Sequence, residues 1–342
     1  MSEQGVNLYS DTQTRPGAEM RAAMAAAEVG DEQRKLDPTV NELQRRVAEL
    51  LGHEAGLFLP TGTMCNQIAF RLHTGPAGHE IYAHRWAHPM DAEAAGAAAL
   101  SGAMLWPLDG DAGMFTGAEL EAALRDPADR HAPRSRLVCV EQTTNMGGGR
   151  VWPRERIGEI LGIAAERGLR THLDGARLLN ATVASGESAA AYASGFDTAW
   201  IDFSKGLGAP IGACLVGSAE LIEEAWRYKQ MFGGAMRQAG IVAAGALWAL
   251  DNNVERLAED HANARALAEA LAEIDGVRIA PEEVETNIVF FAVEDPVGLV
   301  AKLDAEGVEM VNLVGRIRAV THHDVDRAGV ERAAEAVARV LA

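Results

Sequence analysis

A single lysine, Lys205, sits in the stretch Ile201 to Pro210, IDFSKGLGAP, at the end of an apolar run and flanked by a serine and two glycines. An amine in that position can capture a carbonyl compound; the plainer reading is a surface lysine in a loop. About thirty residues earlier, in THLDGARLLN (171–180), Asp174 closes another apolar run and Arg177 follows across a Gly-Ala turn. Ligands of open parallel sheets sit beyond the carboxyl ends of the strands, so the carboxylate and the amine share one rim, unless Asp174 and Arg177 are only a structural pair. A third stretch, LPTGTMCNQ (59–67), puts Gly62 and Thr63 at the start of a helix-like segment. Backbone N–H groups and a hydroxyl there suit a phosphate, although an ordinary N-cap explains the same two residues. Together, an amine, a strand-end carboxylate and a phosphate cradle are what pyridoxal 5'-phosphate needs: a lysine to bond its aldehyde carbon, an aspartate to keep the pyridine nitrogen protonated, and a helix start to hold its phosphate.

The elements that must position these groups are short and apolar. GLFL (56–59), EIYA (80–83), AMLW (103–106), RLVCVE (136–141), LRTHLD (169–174), TAWIDF (198–203) and GACLVG (212–217) read as strands buried on both faces. Helical patterns lie between them, among them NELQRRVAELL (41–51), GAELEAALR (117–125) and PRERIGEILGIAAERG (153–168), the last opened by proline and closed by glycine. This alternation predicts an α/β large domain with a mostly parallel sheet over residues 1–249, including an N-terminal segment. From about residue 250 the texture changes. A helical pattern (255–274) is followed by the strand-like GVRIA, TNIVFFAV, VEMVNL and RIRAV and by a closing helix, which predicts a small C-terminal α+β domain over 250–342.

Bulk properties narrow the partners. A chain of 342 residues suggests about two domains. The formal net charge of -18 is spread without a Lys/Arg block, so nucleic acid and anionic membranes are not expected partners. The three cysteines, Cys65, Cys139 and Cys214, form no CxxC pair and read as reduced thiols of a cytoplasmic protein. The beginning, MSEQGVNLYSDTQTRP, has neither the basic nor the apolar region of a signal peptide.

The chain resembles the low-specificity L-threonine aldolases, within the beta-eliminating lyase family and the aspartate-aminotransferase-like (fold type I) group of pyridoxal-phosphate enzymes. The resemblance lies in SDTQTRP (10–16), DPTVNEL (37–43), PTGTMCNQ (60–67), LDGARLLNA (173–181), SKGLGAP (204–210), GGAMRQAG (233–240) and IRAVTHHD (317–324), in that order. It implies a large domain with a seven-stranded sheet and cleavage of β-hydroxy-α-amino acids to glycine and an aldehyde. Lys205 would be the Schiff-base lysine, Asp174 the partner of the pyridinium nitrogen, and His88 the ring stacked on the cofactor and a candidate base. Gly62, Thr63 and Ser204 would help hold the cofactor, with Arg237 near its phosphate side and reaching toward a neighbouring subunit. Ser10, Arg177 and Arg318 would hold the substrate carboxylate, which a guanidinium fork fits. The family pattern also implies a homotetramer built as a dimer of dimers; no metal ligand set is expected.

Two positions depart from the family. Arg34 and Lys35 replace a tyrosine-glycine pair ahead of DPTVN, and Thr144, expected against the substrate, stands where the family carries a histidine. A threonine hydroxyl is no base near neutral pH; His84 is the residue that could compensate. These departures keep another pyridoxal-phosphate reaction open: β-elimination, racemisation or transamination. A non-catalytic binding protein on the same fold is expected to have lost Lys205, Asp174 or an arginine, and all are present.

Overall fold

The apolar segments pair edge to edge in the computed structural model, which describes residues 5–75 and 78–342. After a short strand β1 (Val6–Asn7) come β2 (Ala55–Leu59), β3 (His79–His84), β4 (Met104–Leu108), β5 (Arg134–Glu141), β6 (Arg170–Gly175), β7 (Thr198–Asp202) and β8 (Ala213–Gly217). The last seven form one sheet in the order β2-β8-β7-β6-β5-β3-β4. The pairs from β7 to β4 are parallel, and β8 runs antiparallel to both of its neighbours. Every residue of β7 and β8 is buried, as expected of strands covered by helices on both faces.

Local chemistry sets the helix boundaries. The helix Pro38–Leu51 starts on a proline, is capped by Asp37 and ends at Gly52, whose φ of 71° terminates it. The helix Gly62–Thr74 starts at Thr61, whose side chain accepts from the Met64 N–H at 3.2 Å. No helix among the described residues is long and apolar enough to cross a membrane.

The second unit holds β9 (Ile288–Phe291), β10 (Val308–Glu309), β11 (Val311–Leu313) and β12 (Arg316–Val320). An antiparallel sheet, β11-β12-β9, packs beside the helices Leu257–Ala272 and Arg327–Leu341 around a separate core. The segment from Val6 to Leu8 belongs to that core: β1 pairs with β10 in parallel, Val6 opposite Val308, and Val6 and Leu8 are buried there. Two strand expectations are corrected. GVRIA makes only an isolated bridge, Arg278 to Ala292, in place of a strand. VEMVNL divides at the buried Met310, because its first half pairs with β1 and its second half with β12.

Candidate active site

The site forms where β5, β6 and β7 end. Asp174 is the last residue but one of β6, and Gly175 ends the strand where the neighbouring backbone approaches closely: a Cβ on it would lie 1.9 Å from the Trp200 carbonyl oxygen. Beyond β7, Asp202 Oδ1 accepts from the Ser204 N–H at 2.6 Å and from the Ser204 hydroxyl at 2.7 Å, which tightens the turn that presents Lys205. The Lys205 carbonyl is held in turn by Thr14 Oγ1 at 2.9 Å. Opposite, the first residue of the helix is glycine, Gly62, and nothing larger fits there: a Cβ would lie 2.2 Å from the Trp200 ring.

These elements enclose a cleft of about 330 Å³. The strand ends contribute Glu141, Asp174, Ser204 and Lys205; the helix start contributes Gly62 and Thr63; the N-terminal segment contributes Ser10 and Thr12; the second unit contributes Arg318. His88, Arg177 and Asn145 complete the wall. Lys205 Nζ lies 3.6 Å from Asp202 Oδ2 and 5.8 Å from the Trp200 ring centroid.

Burial raises the Asp174 carboxyl above its ordinary range, against the opposing charge of Lys205 and a 2.8 Å hydrogen bond from Asn66 Nδ2. His88 is moved upward by its 2.8 Å hydrogen bond from Nδ1 to Glu93 Oε1, with burial opposing. Glu141 is pushed up to about 7, chiefly by burial and then by the charge of Asp174; its oxygens accept the backbone N–H groups of Asn145 and His88, each at 2.7 Å.

The two arginines are held differently. Arg177 grips Asp11 through Nε and Nη2, both at 2.7 Å, with both side chains buried. Burial works to raise the Asp11 carboxyl, but the charge and hydrogen bonds of Arg177, with Lys205 and Asn287, hold it well below the usual range. Arg318 donates from Nη1 to Asn145 Oδ1 at 3.0 Å and from Nη2 to the Tyr9 carbonyl at 3.2 Å, while its buried Nε has no partner among the described residues. Burial, and then the charge of Arg177, lower it to about 10. Arg177 Nη1 also reaches Asn145 Oδ1, at 3.4 Å.

Nine of the residues singled out from sequence meet in this cleft: Ser10, Gly62, Thr63, His88, Asp174, Arg177, Ser204, Lys205 and Arg318. Thr144 does not. Its neighbours Thr143 and Asn145 face the cleft, while Thr144 is buried behind the wall, where Oγ1 accepts from the Arg150 N–H at 3.2 Å. A Cβ added at Gly113 would stand 2.8 Å from its Cβ, so that loop covers it closely. Arg237 also lies outside the cleft, solvent-facing and paired with Asp31 at 3.1 Å. His84 has both ring nitrogens engaged, by the Trp86 N–H at 3.1 Å and the Gly110 carbonyl at 3.3 Å. Lys35 pairs with the exposed Glu223 at 2.7 Å and adopts φ 57°, a backbone that favours the glycine other members carry there.

Sequence reading passed over Asp11, Asn66, Glu93, Glu141 and Asn145. Glu141 carried a signal: it ends an apolar run as Asp174 does, and the two residues pair in register. Asn66 and Glu93 lie within helical or irregular stretches with no such mark.

A mostly parallel sheet here carries a lysine beyond one strand end, a buried carboxylate near the next and two arginines in the same cleft. The chain belongs to the beta-eliminating lyase family, whose profile matches residues 7–294. It is 42% identical over 324 residues to the low specificity L-threonine aldolase of Escherichia coli (strain K12), covering 94% of this chain and 95% of that one. It is 39% identical over 335 residues to the probable low-specificity L-threonine aldolase 2 of Arabidopsis thaliana, covering 95% and 94%. Among solved structures, the threonine aldolase of Leishmania major superposes with a TM-score of 0.85 over 98% of this chain and 99% of that one, at 22% identity.

Proposed function

We propose that this cleft holds pyridoxal 5'-phosphate and cleaves L-threonine, L-allo-threonine or related β-hydroxy-α-amino acids to glycine and an aldehyde. The observation that carries the reading is the meeting of Lys205, the buried Asp174, the Gly62–Thr63 helix start and two arginines around one cleft. The donor set fits the cofactor. Lys205 Nζ would supply the amine for its aldehyde carbon, Asp174 would partner its ring nitrogen, and the first helical N–H groups, which have no intrahelical partner, suit its phosphate.

When bound, the cofactor supplies an electron sink for the bond broken at Cα. The chain's residues do the rest. Arg177 and Arg318 take the substrate carboxylate; Asn145 Oδ1, which accepts from both guanidiniums at 3.4 and 3.0 Å, marks where an oxygen is received. That grip orients the amino acid so that its Cα–Cβ bond is the one aligned for cleavage. Asp174 holds the proton on the ring nitrogen. Glu93 takes the Nδ1 proton side of His88, leaving Nε2 as the nitrogen able to accept the β-hydroxyl proton. As that proton leaves, the Cα–Cβ bond breaks, the aldehyde departs, and Cα is reprotonated to give glycine.

We infer a homotetramer as well. Leu36, Met231 and Ile241 are exposed apolar residues on or beside two segments tied together by Glu32 N–H to the Arg237 carbonyl at 3.0 Å, a surface that supports a subunit contact bringing Arg237 toward a neighbour's cleft. Sedimentation equilibrium tests it; a monomer excludes it.

The reaction is tested by incubating cofactor-loaded protein with L-threonine, L-allo-threonine and L-phenylserine, with Lys205→Ala as control. Glycine and aldehyde in equal amounts, absent from the variant, are expected. 2-Oxobutyrate from the two threonines, or phenylpyruvate from phenylserine, with ammonia in their place marks β-elimination and overturns the aldol reading.

A further inference from the structure

Asp174 and His88 meet through a side chain that no step above uses. Asn66 is buried in the helix Gly62–Thr74. Its Nδ2 donates to Asp174 Oδ2 at 2.8 Å and to Glu93 Oε1 at 2.7 Å, and Glu93 Oε1 is also the partner of His88 Nδ1. Its Oδ1 faces Trp200 Nε1 at 2.8 Å and His172 Nε2 at 3.0 Å. An indole N–H can only donate and a carboxylate can only accept, so the amide has one orientation.

The same reasoning runs outward. His172 Nε2 carries the proton that Asn66 Oδ1 accepts, so Nδ1 is left as an acceptor for Thr198 Oγ1–H at 2.8 Å. With that hydroxyl proton engaged, His73 Nε2, also 2.8 Å from Thr198 Oγ1, must donate. Burial keeps both rings neutral, His172 lowered to about 3 and His73 to about 4. Each proton from His73 to Asp174 therefore has a single place.

We propose that Asn66 is a positioning residue that locks Asp174 and the Glu93–His88 pair into one unit, its two amide protons divided between two carboxylates and its carbonyl fixed by Trp200 and His172. Without that donor the two buried carboxylates face each other, and Asp174 is less able to keep a ring proton in place. The effect extends further, because Glu93 sets the tautomer of His88 and Trp200 packs over Gly62. Asp174 also faces Lys205, His88 and Glu141, and His88 faces Lys205, so these charges set the baseline against which a change at Asn66 is read. The proposal rests on the cofactor reading of the cleft but not on the aldol reaction.

The test uses cofactor-loaded Asn66→Asp, Asn66→Ser and Glu93→Gln. The visible absorbance of the bound cofactor is titrated with pH, and kcat/KM is followed over the same range. Asn66→Asp is expected to move the absorbance midpoint by about one pH unit or more, and Asn66→Ser by less. Glu93→Gln is expected to shift the acid limb of kcat/KM to lower pH with a smaller change in the absorbance midpoint. Circular dichroism reports folding; if Asn66→Asp does not fold, Asn66→Ser decides. The proposal is overturned if every folded Asn66 variant binds the cofactor with a midpoint within about 0.2 unit of the parent and an unchanged pH profile, even if it melts at lower temperature. Failure of the parent to make glycine sinks the aldol reading alone, because the absorbance titration does not depend on product.

Discussion

Glu141, the last residue of β5, pairs in register with Asp174, the last but one of the adjacent parallel β6, so two carboxylates stand side by side on the rim of the sheet. Burial and that neighbouring charge hold Glu141 at about 7, against an ordinary 4.5. A carboxyl raised on folding contributes stability that is fully present below its unfolded value and lost as pH rises through the folded one. Thermal melts of the parent and Glu141→Gln are therefore expected to diverge across that window, the variant gaining on the parent between about pH 5 and about pH 8. A constant difference between the two melts would exclude a titrating Glu141.

The Asp11–Arg177 pair is buried on both sides, and removing one partner strands the other's charge. Asp11→Ala is expected to cost about 3–5 kcal/mol in denaturant unfolding and to raise KM for the amino acid, because Arg177 loses the brace that aims it. A loss below about 1 kcal/mol would mean that water reaches the arginine.

Thr144 is packed behind the cleft wall, and restoring the histidine common in the family would overfill that space. Thr144→His is expected to destabilise the protein by about 1–3 kcal/mol with no gain in kcat on L-threonine. A rise in kcat would show that the imidazole reaches the substrate.

At Gly62 a Cβ would stand 2.2 Å from Trp200. Gly62→Ala must displace the indole or the helix start, so the cofactor dissociation constant is expected to rise by about tenfold, equivalent to about 1.4 kcal/mol. Equilibrium dialysis measures it, and an unchanged constant would remove the helix start from cofactor binding.

The seven-stranded sheet was legible because its strands are short apolar runs, the central ones buried on both faces, and the same rule that found the strands marked Asp174 and Lys205 at their ends. Thr143 and Asn145 line the cleft while Thr144, expected against the substrate, is buried beside it, and composition does not say which side chains of such a stretch face the cleft. Asn66 was not legible, since its role is defined by contacts 27 and 108 residues away. GVRIA failed as a strand because its propensity was right but its partner was missing beyond a single bridge.

The pairing of β1 with β10 joins residues that are 302 apart in the chain. Ser10, Asp11 and Thr12 follow β1 directly, so that late closure also delivers Asp11 to Arg177. In chain order the large sheet is complete at Gly217, whereas the strand that anchors the segment from Val6 onward comes only at Val308. The Asp11–Arg177 contact thus depends on a pairing made after the last strand of the large sheet, and a polypeptide halted before Val308 carries Lys205 and Asp174 without the strand that anchors the Asp11 segment.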